Sequence, residues 1–311
     1  MDKVVGVLGG GQLGRMFMEA ANRLNIQVNI LDKDNAPAKH ISAHGGHVTG
    51  SFKNAEAIKK LAKTCDVLTV EIEHVDTHVL EQIEGDVRIE PSWRTIRTIQ
   101  DKYLQKEHLR SKGVATAEAV SLDGNSEDGL RSVGSRLGYP FMLKSKKEAY
   151  DGRGNYPVRS EKDVPAALKA LGDRPLYAER WAEFRAELAV MVVQTKDGPL
   201  AFPTVETIHE DSICKLVFAP ARTIEDKVLK EAQELARKAV AAFDGKGVYG
   251  VEMFLLKDDT LLINEIAPRY VSCMRNKSRS FIDSSCVGRI TLDITRFELV
   301  FRYSRNIYRT L

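Results

Sequence analysis

Residues 4–14 read Val4-Val5-Gly6-Val7-Leu8-Gly9-Gly10-Gly11-Gln12-Leu13-Gly14. An apolar run that stops at three glycines is a buried parallel strand entering a tight turn. Beyond the turn, Leu13, Met16, Phe17, Ala20, Ala21 and Leu24 recur at three-and-four spacing, which is one apolar face of a helix. A second strand, Val28–Leu31, ends at Asp32. A helix over 55–63 leads to a strand at Val67–Val70, and a helix over 77–84 leads to Val87–Ile89. Strand and helix alternate without exception, so residues 1–95 are expected to form a doubly wound α/β domain.

Further along, the alternation relaxes. A long polar helix is expected over Trp93–Lys112, stopped by Gly113. Then come a strand at 139–144, a glycine loop and a helix at Val164–Leu171. A second block holds strands at Leu176–Glu179, Glu187–Val193 and Ala201–Val205, a helix over Ile224–Phe243, and strands at Val248–Leu255 and Leu261–Glu265. Strands grouped this way predict α+β architecture. The expected division is 1–95, 96–175, 176–269 and a basic tail at 270–311.

Composition narrows the function classes. With 311 residues, 43% apolar and 29% charged, the chain is globular with two or three domains, not disordered or fibrous. A net charge of +3 does not argue for a nucleic-acid or membrane surface. No apolar run reaches the ~18 residues of a membrane span, and the start lacks the charge order of a signal peptide. Cys65, Cys214, Cys273 and Cys286 have no metal-knuckle spacing, so thiols in a reducing, cytoplasmic compartment are expected. No nucleic-acid or membrane partner is expected.

Four motifs carry chemistry. Gly9-x-Gly11-x-x-Gly14 between strand and helix, with Asp32 closing the next strand, satisfies the dinucleotide fingerprint. A nicotinamide cofactor and a substrate phosphate both suit such a turn. Lys144 at a strand end, followed by Tyr150-Asp151-Gly152-Arg153-Gly154-Asn155, suits phosphate neutralisation under a closing lid, and it is not a Walker loop. Glu252 and Glu265 are carboxylates inside apolar strands. Unpaired, each costs several kcal/mol (roughly 2–7 for a neutral polar group, more for a charge), so the pair suggests a divalent cation such as Mg²⁺ with a triphosphate. Glu71-Ile72-Glu73-His74 follows the third parallel strand and faces the crevice of Gly11.

In this order the motifs GGGQLGRMFMEAANRL, EIEHV, QDKYLQK, YDGRGNYPV, ERWAEFRAELAVMV, FPTVETIHEDSI, YGVEMFLL and LLINEIAPR resemble one family over residues 4–269. It is the 5-(carboxyamino)imidazole ribonucleotide synthetase family of ATP-grasp enzymes of purine biosynthesis. The resemblance implies a pre-ATP-grasp domain followed by ATP-grasp domains, with ATP, Mg²⁺ and bicarbonate, a small-molecule ribonucleotide substrate and a homodimer. It implies attack of bicarbonate on the γ-phosphate, then transfer of the carboxyl group to the substrate amine. Lys102 and Lys144 are implied to contact ATP phosphates or the adenine pocket. Tyr150, Asp151, Gly152, Arg153 and Gly154 are implied as the lid, with Tyr150, Asp151 and Arg153 also toward substrate. Glu179, Arg180, Trp181 and Ala182 are implied as the hinge reading adenine, with Glu187 on the ribose and His209 at the nucleotide. Glu252 and Glu265 are implied metal ligands beside Asn264. Gly11, Gln12, Leu13, Glu73 and His74 are implied at the ribonucleotide, and Arg269 at bicarbonate.

The resemblance stops at Arg269-Tyr270, inside a catalytic motif, and the family's C-terminal β domain is not recognised. Residues 270–311 hold eight Lys/Arg against three Asp/Glu. That stretch is expected to be translated intron or a shifted frame, and the chain to be weakly stable and close to inactive in carboxylation. Three other readings stand beside the carboxylating enzyme: a nicotinamide dehydrogenase, a different ATP-grasp ligase, and a non-catalytic ATP-binding remnant.

Overall fold

The computed structural model describes residues 3–148, 154–210 and 213–269. The first unit holds β1 (Val4–Leu8), α1 (Gln12–Arg23), β2 (Gln27–Asp32), β3 (Val48–Thr49), α2 (Ala55–Ala62), β4 (Val67–Val70), α3 (Thr77–Gln82) and β5 (Arg88–Ile89). Its sheet is parallel, in the order β3-β2-β1-β4-β5. This doubly wound order brings the carboxyl ends of β1 and β4 side by side, so the glycine turn meets the 71–75 loop. Val7, Ile30, Phe17 and Met18 pack under one face, and Leu8, Leu31, Leu61 and Leu80 under the other.

The expected helix over 93–112 is two helices, α4 (Trp93–Gln100) and α5 (Lys102–Ser111). Asp101 between them is extended, at φ −103° and ψ 107°, and its carboxylate accepts from the backbone N–H of Tyr103 and Leu104. An N-capping aspartate offers the backbone an alternative to continuing the helix, and here that alternative wins. The break matters because it aims Lys102 and Lys106, one turn apart on α5, into the crevice.

The next sheet holds β6 (Ala119–Ser121), β7 (Phe141–Ser145), β8 (Asn155–Val158) and β9 (Leu176–Arg180), antiparallel in the order β6-β9-β7-β8, backed by α6 (Glu127–Leu137) and α7 (Val164–Leu171). Because β9 pairs with both β6 and β7, residues 176–180 belong to this sheet although the sequence division was expected at 175/176. The stretch 181–183 connects this sheet to the last one.

The last sheet is built on β10 (Phe184–Thr195), with β11 (Gly198–Ala201), β12 (Val205–Glu210), β13 (Ile213–Phe218), β14 (Gly247–Leu256) and β15 (Leu261–Pro268), and α8 (Asp226–Val240) on one face. The strand expected at Ala201–Val205 divides between β11 and β12, with the 202–204 segment turning between them. Leu188, Val190, Val192, Val251, Met253 and Leu255 pack on α8 through Val228, Ala232, Ala236 and Ala239. With a side-chain period of two, the alternate residues Glu187 and Glu252 face away from α8.

Tyr150, Asp151, Gly152 and Arg153 of the expected lid, and the whole expected tail at 270–311, lie outside the described residues. Among the described residues, no helix is long and apolar enough to cross a membrane.

Candidate active site

At the amino end of the crevice the glycine turn is already occupied by the chain itself. Gly11 N–H and Gly14 N–H donate to the two carboxylate oxygens of Glu71, at 2.8 and 2.7 Å. Gly10 N–H donates to Asp32 Oδ2 at 2.7 Å. The donors that a dinucleotide pyrophosphate needs are therefore taken, and the nicotinamide reading does not hold. Gln12 is exposed beside this turn and Leu13 half-buried.

The lysines form a second group. Glu179 is buried, and its carboxylate takes Lys106 Nζ at 3.0 Å, Lys144 Nζ at 3.0 Å and the Tyr177 hydroxyl at 2.9 Å. Burial pushes the Glu179 carboxyl up, but the two ammonium groups outweigh it and hold it at about 2. Lys106 also donates to the Asn264 carbonyl at 3.0 Å, and Lys144 to Asn264 Oδ1 at 3.3 Å. Of the expected hinge, Arg180 turns outward to Glu118 at 2.8 Å, Trp181 is exposed and Ala182 half-buried. Gly154, at φ +102°, donates no side chain but accepts Ser145 N–H at 2.8 Å, closing the base of the loop.

The third group lies on the face of the last sheet turned away from α8. Glu252 and Glu265 are cross-strand partners. The register slips by one residue at Asn264, so Met253 pairs with Ile263 rather than with Asn264. That bulge lets Ile263 stay in the core while Glu265 turns to the Glu252 face. Burial and the neighbouring Glu265 raise the Glu252 carboxyl above the usual range. Lys102 is buried and sits 2.5 Å from Glu265 and 3.4 Å from Glu73. Burial opposes its charge, but Glu265 and Glu73 outweigh burial and raise its pKa. Lys102 thus joins the 71–75 loop to the carboxylate pair, away from Glu179. Burial likewise raises Glu73, and Lys102 with Arg269 more than reverses this. Arg269 Nη1 lies 3.9 Å from Glu73. Gln100 pins the same loop by donating to the carbonyls of Glu73 and Val75 at 2.6 Å each.

His209 Nδ1 stands 2.8 Å from Glu187 on the neighbouring strand. The bond to Glu187 raises the His209 pKa above 6.5. The stabilisation is therefore complete below pH 6.5 and is lost as pH rises through the raised value. His209→Gln is expected to flatten the fall in thermal midpoint between neutral and mildly alkaline pH. Solvent screening keeps the effect below about 1 kcal/mol. A thermal-unfolding series against pH in both proteins checks it, and an unchanged slope in the variant counts against the pair.

His74 is set apart from these groups. It lines a cleft of about 520 Å³ between the first two units, with Lys53, Ile72, Lys147 and Arg174. Lys53 and Glu148 bridge that cleft at 2.7 Å. Sequence reasoning did not single out Lys106, Tyr177 or Lys53. The four-residue spacing of Lys102 and Lys106 on a helix is the one signal that could have pointed to Lys106.

The ribonucleotide synthetase pre-ATP-grasp domain matches residues 1–100, and the ATP-grasp domain matches residues 107–271. The chain is 56% identical over 272 residues to phosphoribosylaminoimidazole carboxylase of Ogataea methanolica, covering 86% of this chain and 50% of that protein. It is 31% identical over 269 residues to N5-carboxyaminoimidazole ribonucleotide synthase of Bacillus subtilis, covering 86% and 69%. The chain spans about half the length of the fungal relatives it matches. The crystal structure of N5-carboxyaminoimidazole synthase from Aspergillus clavatus, in complex with ADP and 5-aminoimidazole ribonucleotide, superposes with a TM-score of 0.85 at 64% identity, covering 88% of this chain and 71% of that one.

Proposed function

The chain belongs to the N5-carboxyaminoimidazole ribonucleotide synthase family of ATP-grasp ligases, and on that footing we propose that it carboxylates the amine of 5-aminoimidazole ribonucleotide with ATP and bicarbonate, releasing ADP and phosphate. The observation that supports this best is Lys102, held between Glu73 on the substrate side and Glu265 on the nucleotide side. Phosphoryl transfer needs positioning and charge neutralisation more than covalent chemistry from the protein. Lys144 and Lys102 supply positive charge at the phosphates. Glu179 and the 180–182 backbone receive the base, and Glu187 with His209 the ribose side. Glu73, His74, Gly11, Gln12 and Leu13 face the ribonucleotide, and Arg269 holds bicarbonate. Tyr150, Asp151, Gly152, Arg153 and Gly154 close over both.

Two carboxylates paired across adjacent strands, one of them raised in pKa by burial and by the other, fit Mg²⁺ shared with phosphates. Bound there by Glu252 and Glu265, Mg²⁺ would neutralise charge on the transferring phosphoryl group. A cytoplasmic, homodimeric enzyme is part of the same proposal.

The test is ADP release, with Mg²⁺, ATP and bicarbonate, by residues 1–269 joined to the family's C-terminal β domain, because the 311-residue chain alone is expected to be close to inactive. Release that depends on added 5-aminoimidazole ribonucleotide, with no binding of NAD, is expected. ATP turnover indifferent to the ribonucleotide overturns the reading.

A further inference from the structure

We propose that Glu71 is a built-in occupant of the glycine-turn anion site, which excludes phosphates and dinucleotides from that turn and positions Gln12 and Leu13 for the ribonucleotide. The proposal deepens the function proposed above and rests on it for the identity of the bound substrate.

The geometry is that of an anion on a helix start. Gly11 caps α1 and has no side chain to satisfy the first N–H groups, and no acidic residue lies in the first turn. Glu71, almost fully buried, supplies the missing acceptor from another strand. It bonds the N–H of the cap and the N–H three residues on, the two donors a capping box satisfies locally.

Glycine at positions 9 and 11 follows from Glu71 rather than from a ligand. At Gly9, with φ +108°, a Cβ would lie 2.6 Å from Glu71 Oε2. At Gly11 it would lie 3.0 Å from Glu71 Oε1. At Gly14 it would lie 3.2 Å from the Gly9 carbonyl and 3.5 Å from the Glu71 carboxyl carbon. Gly9 and Gly11 are thus needed for this side chain to reach the turn, whereas the tight contact at Gly14 is with the Gly9 carbonyl. Asp32, the acid that reads a ribose hydroxyl in dinucleotide sites, is turned in as well, onto Gly10 and Lys33 N–H.

Glu71 also begins the segment that carries Glu73 and His74, and its own N–H bonds the Leu8 carbonyl at 2.9 Å. Its carboxylate therefore couples the position of the Gln12–Leu13 turn to that of the 73–74 loop. Glu71 acts through those residues and is a positioning residue.

The experiment uses the full chain labelled with ¹⁵N-glycine, and the probes are inorganic phosphate, formate, NAD and 5-aminoimidazole ribonucleotide. In the unaltered chain the Gly11 and Gly14 amide signals are expected to ignore phosphate, formate and NAD. In Glu71→Ala they shift with formate and phosphate, and formate restores ribonucleotide affinity. Glu71→Gln keeps the volume but sets a donor against an N–H. It is expected to weaken ribonucleotide binding by about 10-fold or more while ATP affinity changes less than about 2-fold, the loss of one charge-assisted bond confined to one substrate. A positioning role is overturned if Glu71→Gln binds the ribonucleotide as the unaltered chain does. The exclusion role is overturned if phosphate or NAD shifts the glycine amides of the unaltered chain. Should the unaltered chain fail to bind the ribonucleotide while Glu71→Ala alone responds to formate, the occupied anion site stands and the proposed substrate falls.

Discussion

Glu265→Gln is expected to lower ATP turnover by about 10³-fold while leaving the chain folded, the scale seen when one preorganised electrostatic contact to a reacting group is removed. Glu265 is about one-third exposed, on the bulged strand, and its carboxylate is shared between Lys102 and the Glu252 face. Glutamine keeps the shape and removes the charge that Lys102 pairs with and that the proposed divalent cation would need. Of its two carboxylate partners Lys102 then keeps Glu73, at the longer distance of 3.4 Å. Circular dichroism and ADP release measured side by side check the result, together with ATP affinity with and without Mg²⁺. Turnover within about 10-fold of the unaltered chain would sink the assignment of Glu265 to the phosphoryl site.

Lys106→Met is expected to have the largest effect on stability, about 3 kcal/mol, because it removes one of the two ammonium groups that compensate a fully buried carboxylate and leaves only Lys144. Lys106 is fully buried against Glu179 and the Asn264 carbonyl. In the unaltered chain the Glu179 carboxyl is held at about 2, so its stabilisation is complete above pH 4.5 and disappears as pH falls toward 2. The variant leaves Lys144 alone against Glu179, so the loss begins at a higher pH. The double variant Lys106→Met/Glu179→Gln, which removes both charges, is expected to recover part of the stability. Urea unfolding at neutral and acid pH, run on all three proteins, checks the pair. A double variant no more stable than Lys106→Met would show that packing, not the stranded charge, dominates.

The strand–helix alternation of residues 1–95 was legible because each element carries its own period and its own stop signal. α1, β4 and α7 fall where the apolar spacing and the capping residues put them. The break at Asp101 was harder, because an aspartate inside a polar run reads equally as helix surface or as cap. Its two bonds to Tyr103 and Leu104 exist only once the chain turns there. The pairing of β9 with β6 and β7 joins segments more than fifty and more than thirty residues apart, respectively, and has no local signature.

The candidate site divides in the same way. Residue types alone marked Glu252 and Glu265 as carboxylates out of place in apolar strands, and marked Lys144 as a cation at a strand end. Three things depended on tertiary structure. In LLINEIA a strict alternation puts Ile263 and Glu265 on one face, and only the bulge at Asn264 sends one to the core and the other to the crevice. Lys106 became part of the site because α5 carries it against Glu179, a strand of another sheet. The glycine fingerprint, read locally, called for a ligand phosphate, whereas in the fold Glu71, sixty residues from Gly11, fills the turn. Periodicity and capping are short-range and are written in neighbouring residues. Which carboxylate meets which cation or N–H is settled by the packing that brings distant segments within hydrogen-bond reach.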